Sequence, residues 1–172
     1  MATFSMYING ATNEMLGAKI DERLDFWASH FNLERALVHA VAQVESKKKF
    51  AAIRVEPHLK RAKWYRRVLP EEQLTNDLAY CSMGLMQVLY GVAVDQGFQG
   101  TPMELMDIDN AIEHGCIKLS KLIKAHFYLN KVISSYNQGS PRKTRVDGKL
   151  VFKNQGYVDK VLKAYRKLGG LH

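Results

Sequence analysis

The chain has 172 residues, of which 47% are hydrophobic and 24% are charged, as in one soluble globular domain that buries a sizeable core. No apolar run reaches the length of a membrane span, and the first ten residues lack the basic and apolar regions of a secretory signal. The two cysteines, Cys81 and Cys116, argue against a disulfide framework, and their spacing suggests no metal site. We therefore expect synthesis in the reducing cytoplasm, without a signal peptide.

The net charge of +8 is concentrated in two basic segments. Residues 47–67 carry nine Lys or Arg and one acid, and residues 140–172 carry nine Lys or Arg and two acids. The two segments therefore have net charges of +8 and +7, and the rest of the chain has a net charge of −7. This distribution favours an anionic partner, and nucleic acid, a membrane surface and the anionic bacterial envelope all fit it.

Two amphipathic helices are predicted near the N-terminus, after a polar, unpatterned arm over residues 1–12. The first extends from Asn13 to His30, and the second from Leu33 to Ser46, with Asn32 as the expected N-cap. Their apolar faces consist of Leu16, Ile20, Leu24 and Trp27 in the first helix, and of Leu33, Leu37, Val41 and Val44 in the second.

Glu45 lies at the edge of the second apolar face, one turn beyond Val41. A carboxyl group at that place is either drawn out to solvent or held in a half-dry pocket. In the pocket its pKa would rise, and it would become a proton donor. On this helix alone, an ordinary surface glutamate is the simpler interpretation.

The middle of the chain is predicted to be helical as well. Pro57 and Pro70 each suit the first position of a helix, and residues 82–97 are predicted to form another. Thr101 to Glu104 is a capping box, and Asp109 is the expected cap of a longer helix. The inward face of that longer helix is expected to be Ile112, Cys116, Leu119, Leu122 and Ile123.

The C-terminal third adds a short helix over 132–137 that ends at Gly139, and a last helix from Tyr157 to Leu168. Between them, Asp147-Gly148 separates two short apolar runs, which predicts a β-hairpin. The predicted fold is therefore mostly α, a single domain with one small β-hairpin near 144–152.

Four fragments stand in a definite order and resemble the soluble lytic murein transglycosylases, a family of lysozyme-like α domains, and within it the bacteriophage and prophage members most. The fragments are Glu45-Ser46, Gly84-Leu85-Met86-Gln87, Tyr136-Asn137-Gln138-Gly139 and Tyr157-Val158. The resemblance spans about 33–165. Residues 1–30, the arm and first helix, lie outside it, and 31–172 would be the catalytic domain. We expect the two parts to form one compact unit.

The resemblance implies that Glu45 is a single catalytic acid that acts on peptidoglycan. It would protonate the oxygen between N-acetylmuramic acid and N-acetylglucosamine and then act as a base, leaving a 1,6-anhydro end. Ser82, Met86 and Gln87 would line the sugar cleft, Tyr136 and Asn137 would face the acid, and Tyr157 would close the pocket. No metal ion or cofactor is expected.

The chain departs from the plain family pattern in two places. The stretch between Glu45 and Gly84 is long, and Lys153 stands where some relatives carry an acid. Glu56 could partly replace that acid, but we interpret it as a solvated charge that offsets its basic neighbours. A hydrolytic muramidase remains an alternative, with Glu56 or Asp77 as the second carboxylate that hydrolysis requires.

Another alternative is a non-catalytic basic helical protein that binds nucleic acid or belongs to a virion. If the chain is instead a peptidoglycan-cleaving enzyme, we expect it to bind glycan strands of peptidoglycan, and we expect its basic segments to bind the anionic envelope. This interpretation predicts neither nucleic-acid binding nor a membrane span, and leaves the oligomeric state open. The protein would reach the wall as a phage endolysin after release, or as a component carried in the virion.

Overall fold

The computed structural model describes residues 13–171, with side chains from residue 15 onward, so the predicted N-terminal arm lies outside the described residues. The described part of the chain is mostly helical, which confirms the predicted fold class. Its α-helices are α1 (Asn13–His30), α2 (Arg35–Ser46), α3 (Lys63–Val68), α4 (Tyr90–Asp95), α5 (Ile108–Ala125), α6 (Leu129–Gln138) and α7 (Gln155–Lys167). None of these described helices has both the length and the apolar character needed to cross a membrane.

Helix α2 lies at the centre of the domain and packs against α1 and α7. Eight of its residues are buried, and they lie on nearly all faces of the helix: Ala36, Leu37, Val38, His39, Ala40, Val41, Ala42 and Ser46. Its N-cap is Glu34, so the expectation that Asn32 caps it is wrong. Asn32 has a φ of 51° in the tight turn after α1, whereas a capping residue adopts an extended backbone.

A three-stranded antiparallel sheet follows α2, in the order β1 (Ile53–Val55), β2 (Cys81–Met83), β3 (Val88–Leu89). In this sheet Ile53 pairs with Met83, and Met83 with Val88. The segment between β1 and β2 contains α3 and three 3₁₀ turns, Pro57–Arg61, Glu71–Gln73 and Asp77–Tyr80. The two prolines therefore precede or open short 3₁₀ turns, not the α-helices that the sequence predicted.

The predicted helix over 82–97 is wrong, because its first half is β2, a turn and β3, and α4 begins only at Tyr90. The turn reverses the chain with left-handed backbone at Gly84 (φ 72°) and Gln87 (φ 48°), which a right-handed helix excludes. Gly84 also lies against α5, where an added Cβ would meet the Ala111 Cβ at 2.6 Å. Residues 79–88 are buried without interruption, so their apolar pattern has no period that separates strand from helix.

Helix α5 is capped by Asp107, whose carboxylate accepts from the backbone N–H of Asp109 at 2.9 Å. Asp109 is therefore not the cap; its carboxylate accepts from the Trp27 indole at 2.8 Å and from Arg23 at 2.6 Å, which ties α1 to α5. The predicted inward face is confirmed for its first three members, but Ile123 is 40% exposed.

The Thr101 capping box is confirmed, since the Thr101 N–H donates to the Glu104 carboxylate at 2.7 Å. It opens only a 3₁₀ turn, Glu104–Met106.

The C-terminal elements follow the prediction closely. Helix α6 ends at Gly139, which has a φ of 78°. Strands β4 (Lys143–Val146) and β5 (Lys149–Phe152) form the predicted hairpin, and Val146 pairs with Lys149 across the Asp147-Gly148 turn. Helix α7 then returns along α2 and α6, and this packing positions the site.

Candidate active site

Glu45 lies in the last turn of α2, half-buried, where it faces α7. The Tyr157 hydroxyl, 112 residues further along the chain, donates to Glu45 Oε1 at 2.7 Å. Burial raises the pKa of the Glu45 carboxyl above its ordinary value, and the Tyr157 hydrogen bond opposes this more weakly. The result is an oriented carboxyl group that holds its proton more strongly than an exposed glutamate.

Lys118 is the nearest feature that the sequence analysis missed. It lies half-buried on α5, with Nζ 4.3 Å from the centre of the Tyr136 ring, and its positive charge lowers the pKa of Glu45. Burial lowers the pKa of Lys118 itself to about 8, although its attraction to Glu45 acts in the opposite direction. The only signal in the sequence is a lysine just before Leu119, at the border of the inward face of α5.

Tyr136 forms the wall between α6 and the turn after β2. Its hydroxyl donates to the Met86 carbonyl at 2.9 Å, and both side chains are buried. The Met86 side chain packs on α5, where a Cβ on Gly115 would lie 2.4 Å from Met86 Sδ. The two residues therefore stand behind the surface of the site and fix the turn beside Glu45.

The turn from Gly84 to Gln87 is fixed by hydrogen bonds to its own neighbours. The Ser46 hydroxyl donates to the Leu85 carbonyl at 2.8 Å, which joins the turn to the residue that follows Glu45. Gln87 Nε2 donates to the Ala52 carbonyl at 2.9 Å, and the Ser82 hydroxyl donates to Gln87 Oε1 at 3.1 Å. The fragments Glu45-Ser46 and Gly84 to Gln87 are thus in direct contact.

Asn137 is the exposed member of the Tyr136 fragment. Its side-chain oxygen accepts from Asn154 Nδ2 at 3.1 Å, and the same Nδ2 donates to the Ser134 carbonyl at 3.0 Å. Asn154 precedes α7, so these bonds fix the start of the helix that carries Tyr157. The sequence analysis missed Asn154, and no local pattern marks it.

The two alternative carboxylates have different surroundings. Asp77 has an 81% exposed side chain that pairs with Lys60 at 2.6 Å. Glu56 accepts from Arg54 Nε at 2.7 Å, and its side chain is only 21% exposed. Glu56 therefore offsets a basic neighbour as expected, but it is not a solvated charge. It also raises the pKa of Glu45 slightly, whereas Arg54 lowers it, so this ion pair belongs to the surroundings of the acid.

The arrangement offers acid–base chemistry from one carboxyl group in a partly dry, hydrogen-bonded setting. Among residues 13–171, no group of three or more His, Cys, Asp or Glu side chains is placed to hold a metal ion.

Comparison with known families gives one match. The family described as "Transglycosylase SLT domain" matches residues 22–155, which is more than half of the chain. No curated protein and no solved structure matches the chain. The matched range contains Glu45, the turn after β2 and the Tyr136 fragment; Tyr157 lies two residues beyond it.

Proposed function

Because the chain belongs to the family of transglycosylase SLT domains, we propose that it cleaves peptidoglycan at the β-1,4 bond between N-acetylmuramic acid and N-acetylglucosamine. The family supports lytic transglycosylase activity on peptidoglycan in general. The observation that carries the finer proposal is the half-buried Glu45, held by the Tyr157 hydroxyl at 2.7 Å.

In the first step, protonated Glu45 donates its proton to the glycosidic oxygen, and the bond from that oxygen to the muramic acid C1 breaks. In the second step, the Glu45 carboxylate takes the proton of the muramic acid 6-hydroxyl, whose oxygen forms the new bond to C1. The acid returns to its protonated state, and a 1,6-anhydro end results. Tyr157 binds Oε1, which leaves Oε2 for both proton transfers.

The sugar's own hydroxyl competes with water because it is already held beside C1, and such proximity supplies much of the rate. We propose that Tyr157 closes this pocket and that exposed Asn137 offers its amide to the glycan. Ser82, Met86, Gln87 and Tyr136 would contribute through the shape of the turn, since their side chains are buried.

The product of digestion in ¹⁸O water tests this mechanism. We expect anhydro-muropeptides without label at the new sugar ends, identified by mass spectrometry of fragments released from purified murein. A hydrolytic muramidase digested in parallel shows that label can be detected. Label at the anomeric carbon of most products would mean that water, and not the 6-hydroxyl, attacks.

Hydrolysis is the second candidate function, and the partial burial of Glu56 near Glu45 is the observation that favours it. A hydrolase needs a second carboxylate to activate water or to attack C1. The Arg54 ion pair argues against that role, since it occupies Glu56 Oε1 and offsets its charge. The ¹⁸O experiment separates the two functions directly.

We further propose that the protein acts on the bacterial wall as a phage endolysin or a virion-associated enzyme, with its basic segments on the anionic envelope. The α3 region supports this adsorption, since Lys60, Arg61 and Lys63 are exposed. Co-expression with a pore-forming holin should lyse cells with the wild-type chain and not with Glu45→Gln. Lysis by both proteins, or by neither, would contradict the lytic role.

A further inference from the structure

The turn between α5 and α6 carries a patch that the proposed chemistry does not use. Phe127 is 93% exposed, Tyr128 57% and Ile123 40%. The two rings contact each other edge to face, with their centres 5.1 Å apart. Single exposed apolar residues are ordinary, but three neighbours at one end of a helix pair form a patch that indicates an interaction surface. We call Ile123, Phe127 and Tyr128, together with Lys121, Lys124 and Lys131, the turn patch.

The charged residues that neighbour these rings in the sequence are all basic. Lys121 and Lys124 precede the rings on α5 and are exposed, and Lys131 follows them on α6, with its Nζ 5.4 Å from the centre of the Tyr128 ring. No Asp or Glu occurs from residue 114 to residue 146, whereas seven Lys or Arg do. These lysines favour an anionic occupant, and the exposed Phe127 ring favours one that offers an apolar environment.

The backbone of the turn patch is fixed in place. Helix α5 ends at Ala125, and His126, the next residue, bonds through Nε2 to the Ser135 hydroxyl on α6 at 3.0 Å. The His126 N–H also donates to the Leu122 carbonyl at 3.0 Å. The exposed rings are thus presented outward by a hydrogen-bonded turn.

We propose that the turn patch binds the surface of an anionic phospholipid membrane, with Phe127 inserted among the acyl chains near the headgroups and the three lysines on the phosphates. Aromatic and aliphatic side chains with lysines around them are the composition of interfacial membrane-binding elements. A glycan strand can place one C–H face against a ring, but it has no apolar interior that would bury the Phe127 side chain, which is 93% exposed.

The turn patch is separated from the active site along α6. Tyr136 lies eight residues after Tyr128 on α6, which corresponds to about 12 Å along a helix. The turn patch is therefore at the other end of α6 from the residues around Glu45. A protein bound to a membrane through this turn could still bind a glycan strand at Glu45.

Co-sedimentation with vesicles tests the proposal, using phosphatidylcholine with about 30% phosphatidylglycerol and, separately, phosphatidylcholine alone. We expect the wild-type chain to bind the anionic vesicles, less at high salt because charges are screened. Replacing Lys121, Lys124 and Lys131 by Ala should weaken binding about 100-fold, since each lysine near an anionic surface contributes about 1 kcal/mol, or about a factor of five. Phe127→Ala should weaken it about tenfold with the charge unchanged.

The matched control replaces Lys60, Arg61 and Lys63 by Ala, which removes three exposed charges beside the exposed Trp64. This control should keep vesicle binding and lose adsorption to purified murein. The turn-patch variant, in which Lys121, Lys124 and Lys131 are Ala, should lose vesicle binding and keep adsorption to murein. Circular dichroism and cleavage of soluble glycan fragments by each variant verify the fold, independently of membrane binding.

Three results would overturn the proposal: equal loss of vesicle binding in both triple variants, unchanged binding of Phe127→Ala, or no binding of the wild-type chain to anionic vesicles. If the turn-patch variant lost adsorption to murein and the control variant kept it, the turn patch would be a binding surface for the glycan. A concentration-dependent dimer in sedimentation velocity that Phe127→Ala abolishes would assign it to a second copy of the chain.

Discussion

Two groups of elements contribute charges that act on Glu45, and they use ionisable side chains differently. We call them the helical wall and the sheet wall, and the sheet wall consists of β1, β2 and β3 with Glu56, which directly follows β1. The helical wall, built by α2, α5, α6 and α7, holds Lys118 and Tyr157 in partly dry surroundings, where each acts on Glu45. In the sheet wall, Arg54 and Glu56 pair with each other at 2.7 Å, and half of the Arg54 side chain is exposed. Among the charges that act on Glu45, Lys118 lowers its pKa most, whereas Arg54 and Glu56 act on it in opposite directions.

This contrast explains why Glu45 is suited to proton transfer, whereas Glu56 is suited to offsetting a neighbouring charge. Burial raises the pKa of Glu45, and a neutral hydroxyl is its hydrogen-bond partner. Glu56 has a guanidinium as its partner, so its charge is offset where it lies. Substitutions in either wall should therefore change the activity of the protein or its pH dependence through Glu45.

Glu45→Gln should have the largest effect. Glutamine has almost the same shape and keeps an oxygen for Tyr157, but it cannot transfer a proton. We expect kcat on murein to fall by roughly 10²-fold or more, the scale of general acid–base catalysis. An unchanged melting temperature would show that the fold persists. Activity close to that of the wild type would refute the mechanism.

Tyr157→Phe should have the next largest effect, because it removes the hydrogen bond that orients Glu45. We expect kcat/KM to fall about tenfold, the scale of one hydrogen bond to a charged group. Since that hydrogen bond lowers the pKa of Glu45, its loss should raise the pKa. Glu45 donates only when protonated, so the fall of kcat/KM at alkaline pH should shift to higher pH.

The control for Tyr157 is Tyr90→Phe, which removes a hydroxyl that donates to the Gly100 carbonyl at 3.1 Å, a contact in which Glu45 takes no part. It should leave the pH profile unchanged. Equal pH shifts in the two variants would mean that the effect is general and does not come from the helical wall.

The sequence predicted the long helices and the C-terminal hairpin better than the sheet wall, for a physical reason. Helix α1, the end of α6 and the hairpin each have a local signal, namely a 3.6-residue period, a glycine stop or an Asp-Gly turn. The sheet wall has none, because its strands are two or three residues long and their pairing joins residues 53–55 to 81–83. Strands this short depend on tertiary contacts, such as Gly84 on Ala111.

The site was predictable only as a set of fragments. Glu45 and Tyr157 are far apart in sequence, and their family resemblance, not any spacing, placed them together. Resemblance gave no indication of Lys118, because a single lysine at the border of an apolar face usually lies in solvent. Its importance depends on how α5 packs beside α6, which no local pattern contains.

Lys118→Met tests the helical wall with a smaller effect. The lysine charge lowers the pKa of Glu45, so its removal should raise that pKa and move the alkaline fall of kcat/KM upward by roughly one pH unit or less. Lys118→Arg should restore the profile, and Lys121→Met, which removes an exposed charge on the same helix, should leave it unchanged. A downward shift in Lys118→Met would contradict the sign.

Glu56→Gln should have the smallest effect, and in the opposite direction. The Glu56 charge raises the pKa of Glu45, and it also offsets Arg54, which lowers that pKa. Removing it leaves the Arg54 charge without this offset, so the pKa of Glu45 should fall and the alkaline loss of activity should begin at slightly lower pH. At pH values below this alkaline loss of activity, we expect kcat/KM to change less than about threefold, because a transglycosylase transfers no proton through Glu56.

Asp77→Asn is the matched control for the sheet wall, since it also breaks an ion pair but on an 81% exposed carboxylate. It should change neither the rate nor the profile. If Glu56→Gln instead lost about 100-fold or more while Asp77→Asn did not, two carboxylates would be required, as in hydrolysis. The wild-type products would then carry ¹⁸O at C1. A small, downward pH shift with unlabelled products would leave Glu45 as the single acid, with the sheet wall adjusting its pKa and taking no part in the chemistry.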